Sequence, residues 1–512
     1  MIRTFIDRFL KRRQTPSAAG ASGLRREPKR YTAAELGINP AAIPSYATRV
    51  TRTLQEAGYK AYVVGGAVRD LLVGKLPKDF DVATNATPEQ VHALFRRSRI
   101  IGRRFQIVHV GWGDQTVEVS TFRALAAPAP EEPATDADAG EQQARGHVHA
   151  EQPLGRRERR NAPVAQTRSV DESGRLLRDN IFGEQHEDAT RRDFTINAMF
   201  YDPAAEIVLD YHDGVADCRA KRLRIIGDAA TRFREDPVRM LRAVRFAAKL
   251  GFELDPATRA PIAQCADLMV GVPKARLFDE MLKLLFCGHA KAGIERMRAE
   301  GLHGGLMPLL DTVLDTADGQ RFIEAALANT DARVQADKPV SPGFLFAALL
   351  WPQVRRVWKQ REASGMPSIP ALFAAADDVL TTQTERLAIQ RRFVSDMKEI
   401  WALQPRFEKR MGRHPFRLLE QPRYRAGYDF LALRAQGGEL DAELPDWWAA
   451  FAEADGDRRE AMIVELAARP DAPAPAKKRR RRRKKAANAT PVAGDAAEND
   501  ATSATDDDDN AP

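Results

Sequence analysis

The sequence predicts an α+β N-terminal head, a small mixed sheet with flanking helices, followed by an all-α neck and body, with disordered basic tails. Three observations carry this. Runs of strand type, such as Ala61–Val64, Thr116–Arg123 and Val208–Tyr211, are confined to the first half of the chain. Beyond about residue 255 the apolar residues recur with helical spacing and no alternating run stands out. The ends change composition: residues 1–31 carry a net charge of +7, residues 477–485 are all Lys or Arg, and residues 486–512 carry −7. The whole chain is +8, so the part between the tails is near neutral and the basic character sits in the tails. Such tails suit a polyanion, which they hold by releasing its counterions.

At 512 residues the chain is long enough for several domains. No run of 18 apolar residues is present, so no transmembrane helix is expected. Cys218, Cys265 and Cys287 lack metal-ligand spacing and read as reduced core residues of a cytoplasmic protein.

Taken in order, residues 1–38 are a basic, mostly disordered arm. Its first 13 residues have a short amphipathic pattern, for which a frayed arm is the simpler account and weak contact with an anionic membrane the alternative. The head is expected over 39–212. A helix over about 40–58 ends at Gly58, and a strand over 61–64 leads through Gly65-Gly66 into a short helix. A turn with Gly74 and Pro77 then delivers Asp79-Phe80-Asp81-Val82. Thr87-Pro-Glu has the chemistry of a helix start, running to about 97. Residues 100–112 read as strand, turn, strand, and His109 among them as a buried structural histidine. Residues 124–175, rich in Ala, Pro and charge, read as a mobile insertion. Asp193 is expected to cap a helix carrying Phe194, Ile196, Met199 and Phe200. A neck over 213–275 contains a helix from Asp236-Pro237 to Gly251. A helical body spans 276–468, and 469–512 form an Arg-rich, then acidic, tail.

The chemistry concentrates in four places. Alternation along a strand points Asp79 and Asp81 the same way, and two adjacent carboxylates remain ionised together most readily around a cation. Gly65 and Gly66 let the backbone approach a ligand, the following helix start favours anions, and Arg69 adds a phosphate-binding fork. Carboxylates beside an anion cradle suggest a nucleoside triphosphate with magnesium. If the strand around Glu118 neighbours Asp79–Asp81, Glu118 joins the cluster. Arg239, Arg242 and Arg245, three apart on one helix, are by themselves an ordinary solvated face. Preceded by Glu235 and Asp236, they make a donor–acceptor set able to read a base edge.

The pattern Gly65-Gly-Ala-Val-Arg-Asp-Leu-Leu-Val-Gly with Asp79-Phe-Asp resembles the nucleotidyltransferase superfamily, in its class II branch of bacterial poly(A) polymerases and tRNA CCA-adding enzymes. Arg191-Arg-Asp-Phe-Thr-Ile-Asn-Ala resembles the family's second motif and Glu235-Asp-Pro-Val-Arg its base-reading motif. Ile100-Ile-Gly-Arg-Arg-Phe-Gln-Ile-Val-His-Val resembles the segment that marks the poly(A) polymerases, as do Tyr424–Arg434 and the Arg-rich tail. The resemblance implies a nucleotidyltransferase head and template-independent addition of AMP from ATP to RNA 3′ ends, promoting RNA turnover. It implies Mg²⁺, or Mn²⁺, on Asp79 and Asp81, with Glu118 or Asp193 as the third catalytic carboxylate. Gly65, Gly66, Arg69, Arg192, Asp236, Arg239, Arg242 and Arg245 would surround ATP, and Arg479, Arg480, Arg481, Arg482 and Arg483 would grip RNA. A monomer working with the RNA-degradation machinery is the expected context. The alternatives are a CCA-adding enzyme and a non-catalytic RNA-binding relative.

Overall fold

The structure, a computed structural model, describes residues 27–102, 106–125, 168–170, 176–179, 181–304, 306–307 and 316–469. The arm at 1–13, most of the expected insertion and Arg479–Arg483 lie outside the described residues. Through Asp455 the described chain forms one compact unit, and the helix Gly456–Ala467 falls in a second.

The head is built on one eight-stranded sheet. Its strands are β1 (Lys29–Thr32), β2 (Ala61–Val64), β3 (Asp81–Thr84), β4 (Ser98–Ile101), β5 (Ile107–Trp112) and β6 (Gln115–Thr121), with two later ones. Between these in sequence, β7 (Arg168–Val170) and β8 (Leu176–Asp179) form a separate hairpin. The later sheet strands are β9 (Met199–Asp202) and β10 (Ile207–Asp210), and the spatial order is β1-β10-β9-β2-β3-β6-β5-β4. Every pairing is antiparallel except β3 with β6, which run parallel and set Asp81 opposite Glu118. A parallel pair needs a crossover. The chain supplies it with the helix Pro88–Leu94, opened by a Thr87–Gln90 capping box, and the β4–β5 hairpin.

One face of this sheet is covered. Val82, Val108, Val110, Val117 and Val119 pack with Val50 and Leu54 of the helix Ser45–Glu56 and Val91 of Pro88–Leu94. The segment after Asp193 corrects the expectation of a helix. Thr195–Asn197 make one 3₁₀ turn and Met199–Asp202 are strand β9. β9 lies between β10 and β2, so Met199, Phe200 and Tyr201 are buried on both faces of the sheet. Such a strand reads as an unbroken apolar run, which periodicity cannot tell from a buried helix. His109 also differs from expectation: it is half-buried, with Nε2 3.2 Å from Glu118 Oε1.

The neck helix Val238–Leu250 ends at Gly251, whose φ of 68° is the left-handed conformation glycine accepts. Its inner face, Val238, Leu241 and Val244, joins one core with the head residues Val68 and Phe194 and the body residues Phe278 and Met281. Helices dominate from Pro256 to Ala467. Trp351, Trp401 and Trp448 are fully buried there, and each indole N–H has an acceptor: Glu439 at 2.7 Å, the Ala347 carbonyl at 3.2 Å and the Phe407 carbonyl at 2.8 Å.

Candidate active site

Between the sheet and the neck helix lies a cleft of about 750 Å³. It is lined by Gly65, Gly66 and Arg69, by Asp79 and Asp81, by Arg192 and Asp193, and by Asp236, Arg239, Arg242 and Arg245. Four stretches of the chain, spread over residues 65–245, thus meet in one cleft. Glu118 does not line the cleft; it stands beside Asp81 on the neighbouring strand.

The floor is the turn after β2. Gly65 has φ 71° and ψ −130°, a backbone region open essentially to glycine, and a Cβ there would meet the Arg192 guanidinium at 3.4 Å. Arg69, 3 % exposed, donates through Nε and Nη2 to Asp70 Oδ1 at 2.9 and 2.7 Å. Its Nη1 donates to Asn197 Oδ1 at 2.7 Å. The fork is therefore held rigid by protein acceptors, with its remaining N–H groups available to the cleft.

Asp81 opens the strand and Asp79 precedes it; both are exposed within the cleft. The Asp81 carboxyl has solvent above it and protein on its other sides. Desolvation first, and then the neighbouring carboxylates Glu118 and Asp79, push it up to about 6 against the opposing pull of Arg192. Like charges crowded at one point invite a cation. Two carboxylates facing a phosphate cradle fit a hard divalent ion whose remaining ligands come from substrate and water. Among the described residues no three His, Cys, Asp or Glu side chains converge into a closed metal cage.

Asp193 is differently placed. Its Oδ2 accepts from Arg242 Nε at 2.8 Å and lies 2.6 Å from Nη2, while Oδ1 accepts from the Phe194 N–H at 2.8 Å and Asn197 Nδ2 at 3.1 Å. Burial pushes this carboxyl up, but Arg242 and the Asn197 and Phe194 donors outweigh it and leave it at about 2. Both of its oxygens are engaged by protein groups. Arg192 is anchored in turn by Asp188 Oδ2, at 3.3 Å from Nε and 3.1 Å from Nη2.

The neck closes the far wall. Arg239, Arg242 and Arg245 all face the cleft, so the helix presents them to the site rather than to bulk solvent. Asp236 Oδ2 accepts from Arg276 Nη2 at 2.7 Å, and its buried Oδ1 has no hydrogen-bond partner among the described residues. An unpaired buried acceptor is costly unless a ligand donor meets it. Arg245 Nε and Glu280 Oε2, 3.7 Å apart, are likewise buried without a hydrogen bond among the described residues.

Several residues of the site escape sequence reasoning. Asn197 links Arg69 to Asp193, and Arg276 and Glu280 reach the cleft from the helix Lys274–Leu285. Arg232 donates Nη2 to the carbonyls of Arg191 and Arg192 at 2.7 and 2.6 Å and holds the second motif in place. Asn197 lies inside a motif already singled out. The others carry no local signal, since an arginine on a helix says nothing of what it faces.

Three family models match the chain: the poly A polymerase head domain over 61–224, the probable RNA and SrmB-binding site of polymerase A over 251–314, and the arginine-rich C-terminus of polymerase A over 364–486. Poly(A) polymerase I of Escherichia coli O6:H1 is 42 % identical over 438 residues, covering 84 % of this chain and 86 % of that one. The Haemophilus influenzae poly(A) polymerase I is 40 % identical, covering 85 % and 90 %. The CCA-adding enzyme of Bacillus subtilis is 38 % identical, but over only 46 % of this chain and 49 % of its own. Among solved structures, the Bacillus stearothermophilus CCA-adding enzyme in complex with CTP superposes with a TM-score of 0.50 at 24 % identity, covering 82 % of each chain, which shows a shared fold. The cleft, its four converging motifs and relatives aligned over most of both chains establish that this chain belongs to the poly(A) polymerase I family of nucleotidyltransferases.

Proposed function

We propose that the chain is a template-independent polyadenylate polymerase that adds AMP from ATP to RNA 3′ ends in this cleft. The observation that carries the reading is the meeting of Asp79 and Asp81 with Arg192, Arg239, Arg242 and Arg245 in one cavity. In each cycle the RNA 3′-oxygen bonds to the α-phosphorus of ATP, the bond to the bridging oxygen breaks, the hydroxyl proton is lost and pyrophosphate leaves. Mg²⁺, or Mn²⁺ in its place, held by Asp79 and Asp81 supplies charge neutralisation and a lower pKa for the attacking hydroxyl.

The chain's own residues do the rest. Gly65 and Gly66 admit the triphosphate close to the backbone, and Arg69, fixed by Asp70 and Asn197, orients it. Arg192 adds positive charge beside Asp81. Asp236 Oδ1, an acceptor awaiting a donor, suits the exocyclic amine of adenine, and the N–H groups of Arg239 suit a ring nitrogen. Reading the base with protein groups removes the need for a template. Glu118, paired in register with Asp81, is the favoured third carboxylate, because Asp193 is engaged with Arg242 and acts as its positioner. The Lys/Arg run holding Arg479–Arg483 would retain RNA between cycles. Work as a cytoplasmic monomer beside RNA-degrading enzymes completes the reading. Among the described residues no helix is long and apolar enough to cross a membrane.

Primer extension of an unstructured RNA with each nucleotide in turn tests it. A long ladder with ATP alone is the expected result. Addition of C, C and A to a trimmed tRNA, with no ladder on the unstructured RNA, would replace the reading with that of a CCA-adding enzyme.

A further inference from the structure

The sheet carries more of the site than the cleft shows. Residues directly opposed on neighbouring strands share a face of the sheet. Asp81 on β3 is opposite Glu118 on β6, Glu118 is opposite His109 on β5, and His109 is opposite Arg99 on β4. One file of polar side chains therefore runs from the reacting centre to the edge of the sheet. The adjacent file repeats the ending: Thr116 on β6 is opposite Gly111 on β5, whose N–H donates at 2.8 Å to the carbonyl of Arg97. These files lie on the face opposite the covered valines, and Glu118, Thr116, Arg97 and Arg99 are exposed there. Arg97 and Arg99 form no ion pair with any described residue, unlike most arginines of the cleft.

We infer that the face of β6, β5 and β4 is the track on which the RNA strand lies behind its reacting 3′ end, with Arg97 and Arg99 holding backbone phosphates. The inference rests on the polymerase reading and adds the path of the second substrate. ATP occupies the side of Asp81 lined by Gly65, Arg69 and the neck arginines, and Glu118 stands on the other side, outside that cleft. A 3′-hydroxyl aligned opposite the leaving pyrophosphate arrives from the Glu118 side. Behind it, the file leads over His109, whose Nε2 lies 3.2 Å from Glu118 Oε1, to two guanidinium groups that form no ion pair with any described residue. Their charge complements phosphate, and the track continues the reacting centre without a break. Three strand spacings of ~4.8 Å place Arg99 about 14 Å from Asp81. At ~3.4 Å per stacked nucleotide, that is roughly four nucleotides behind the 3′ end.

The test is an Arg97→Glu/Arg99→Glu double variant of the full chain, assayed with A3 and A10 RNA primers. The Arg52→Glu/Lys60→Glu pair makes the same charge change at exposed positions elsewhere on the head. For A10 the KM is expected to rise roughly tenfold, and the slope of log KM against log salt to fall by about 1.4, two single-strand phosphate contacts at ~0.7 each. For A3, too short to reach the edge strand, the rise should be less than a third as large, and the KM for ATP should match that of the control pair. An A10 KM within twofold of the control, or equal penalties for A3 and A10, overturns the track. Binding of fluorescent A10 without nucleotide gives a readout independent of chemistry. A wild-type chain that binds A10 through Arg97 and Arg99 but never extends it with ATP would refute the polymerase reading and leave the track standing.

Discussion

Asp193→Asn separates a positioning carboxylate from a catalytic one. The substitution keeps the shape and one acceptor oxygen but removes the charge that pairs with Arg242 at 2.6–2.8 Å. The Asp193 carboxyl lies at about 2, against an ordinary value of 3.8. At 1.36 kcal/mol per unit, that depression corresponds to a stabilisation of about 2 kcal/mol at neutral pH. Because the folded value is the lower one, the contribution is complete well above pH 3.8 and is lost as pH falls through about 2. Urea unfolding followed by circular dichroism should show the variant less stable by about 2 kcal/mol at pH 7, with the gap narrowing as pH drops below 4. In steady-state assays the KM for ATP should rise, because Arg242 loses its closest anionic partner and keeps Glu280, 4.0 Å away, and the more distant Asp236. The kcat should fall by less than about tenfold. Unchanged stability together with a kcat loss of about a thousandfold or more at constant KM would refute this reasoning and make Asp193 a reacting-centre carboxylate.

Three further variants follow from the geometry. Asp81→Asn should lower kcat by at least about a thousandfold, since charge stabilisation at the transferring phosphoryl group is the main contribution of such a site. The same variant should melt higher than wild type at pH 7.5 in the absence of metal. The Asp81 carboxyl is raised to about 6, so its ionised form burdens the fold above that pH, and the gain should vanish below pH 4, a difference that scanning calorimetry resolves. Gly65→Ala should cost roughly 1–3 kcal/mol in urea unfolding, from the backbone conformation at φ 71° alone. Arg232→Ala removes both donors to the Arg191 and Arg192 carbonyls. It should raise the KM for ATP and speed amide exchange at residues 191–194, although Arg232 is no part of any recognisable motif.

The parts of this protein that were legible in its sequence are those where the local pattern and the final environment agree. The helix Val238–Leu250 begins beside Pro237 and ends at Gly251, as the spacing predicts, because its apolar stripe faces one core. The helical character of the body follows the periodicity of its apolar residues in the same way. Asp79, Asp81 and the three neck arginines were found because their spacing carries meaning on a strand or a helix. β9 was not, because a strand covered on both faces loses its alternation. Nor could sequence choose between Glu118 and Asp193. That choice turns on β3 lying beside β6 and on Arg242 reaching Asp193, contacts spanning 37 and 49 residues. Arg276 and Glu280 enter the site by a tertiary approach that leaves no mark on their neighbours in sequence.

The place of β9 in the sheet also governs how the head is born on the ribosome. Strands β2 through β6 are all made by residue 121, and β2-β3-β6-β5-β4 can pair at once. The strand that covers the open side of β2 begins only at Met199, and β1, although made first, must wait for β10 at Ile207–Asp210. At ~5–20 residues per second, the 81 residues from Thr121 to Asp202, where β9 ends, take roughly 4–16 s to emerge. Throughout that interval the nascent half-sheet presents the bare backbone of Ala61-Tyr-Val-Val, a template for pairing with a neighbouring chain. Every residue in the stretch between Arg123 and Leu176 lengthens the wait. Shortening that stretch should therefore improve the yield of soluble protein even where it leaves the finished enzyme unchanged.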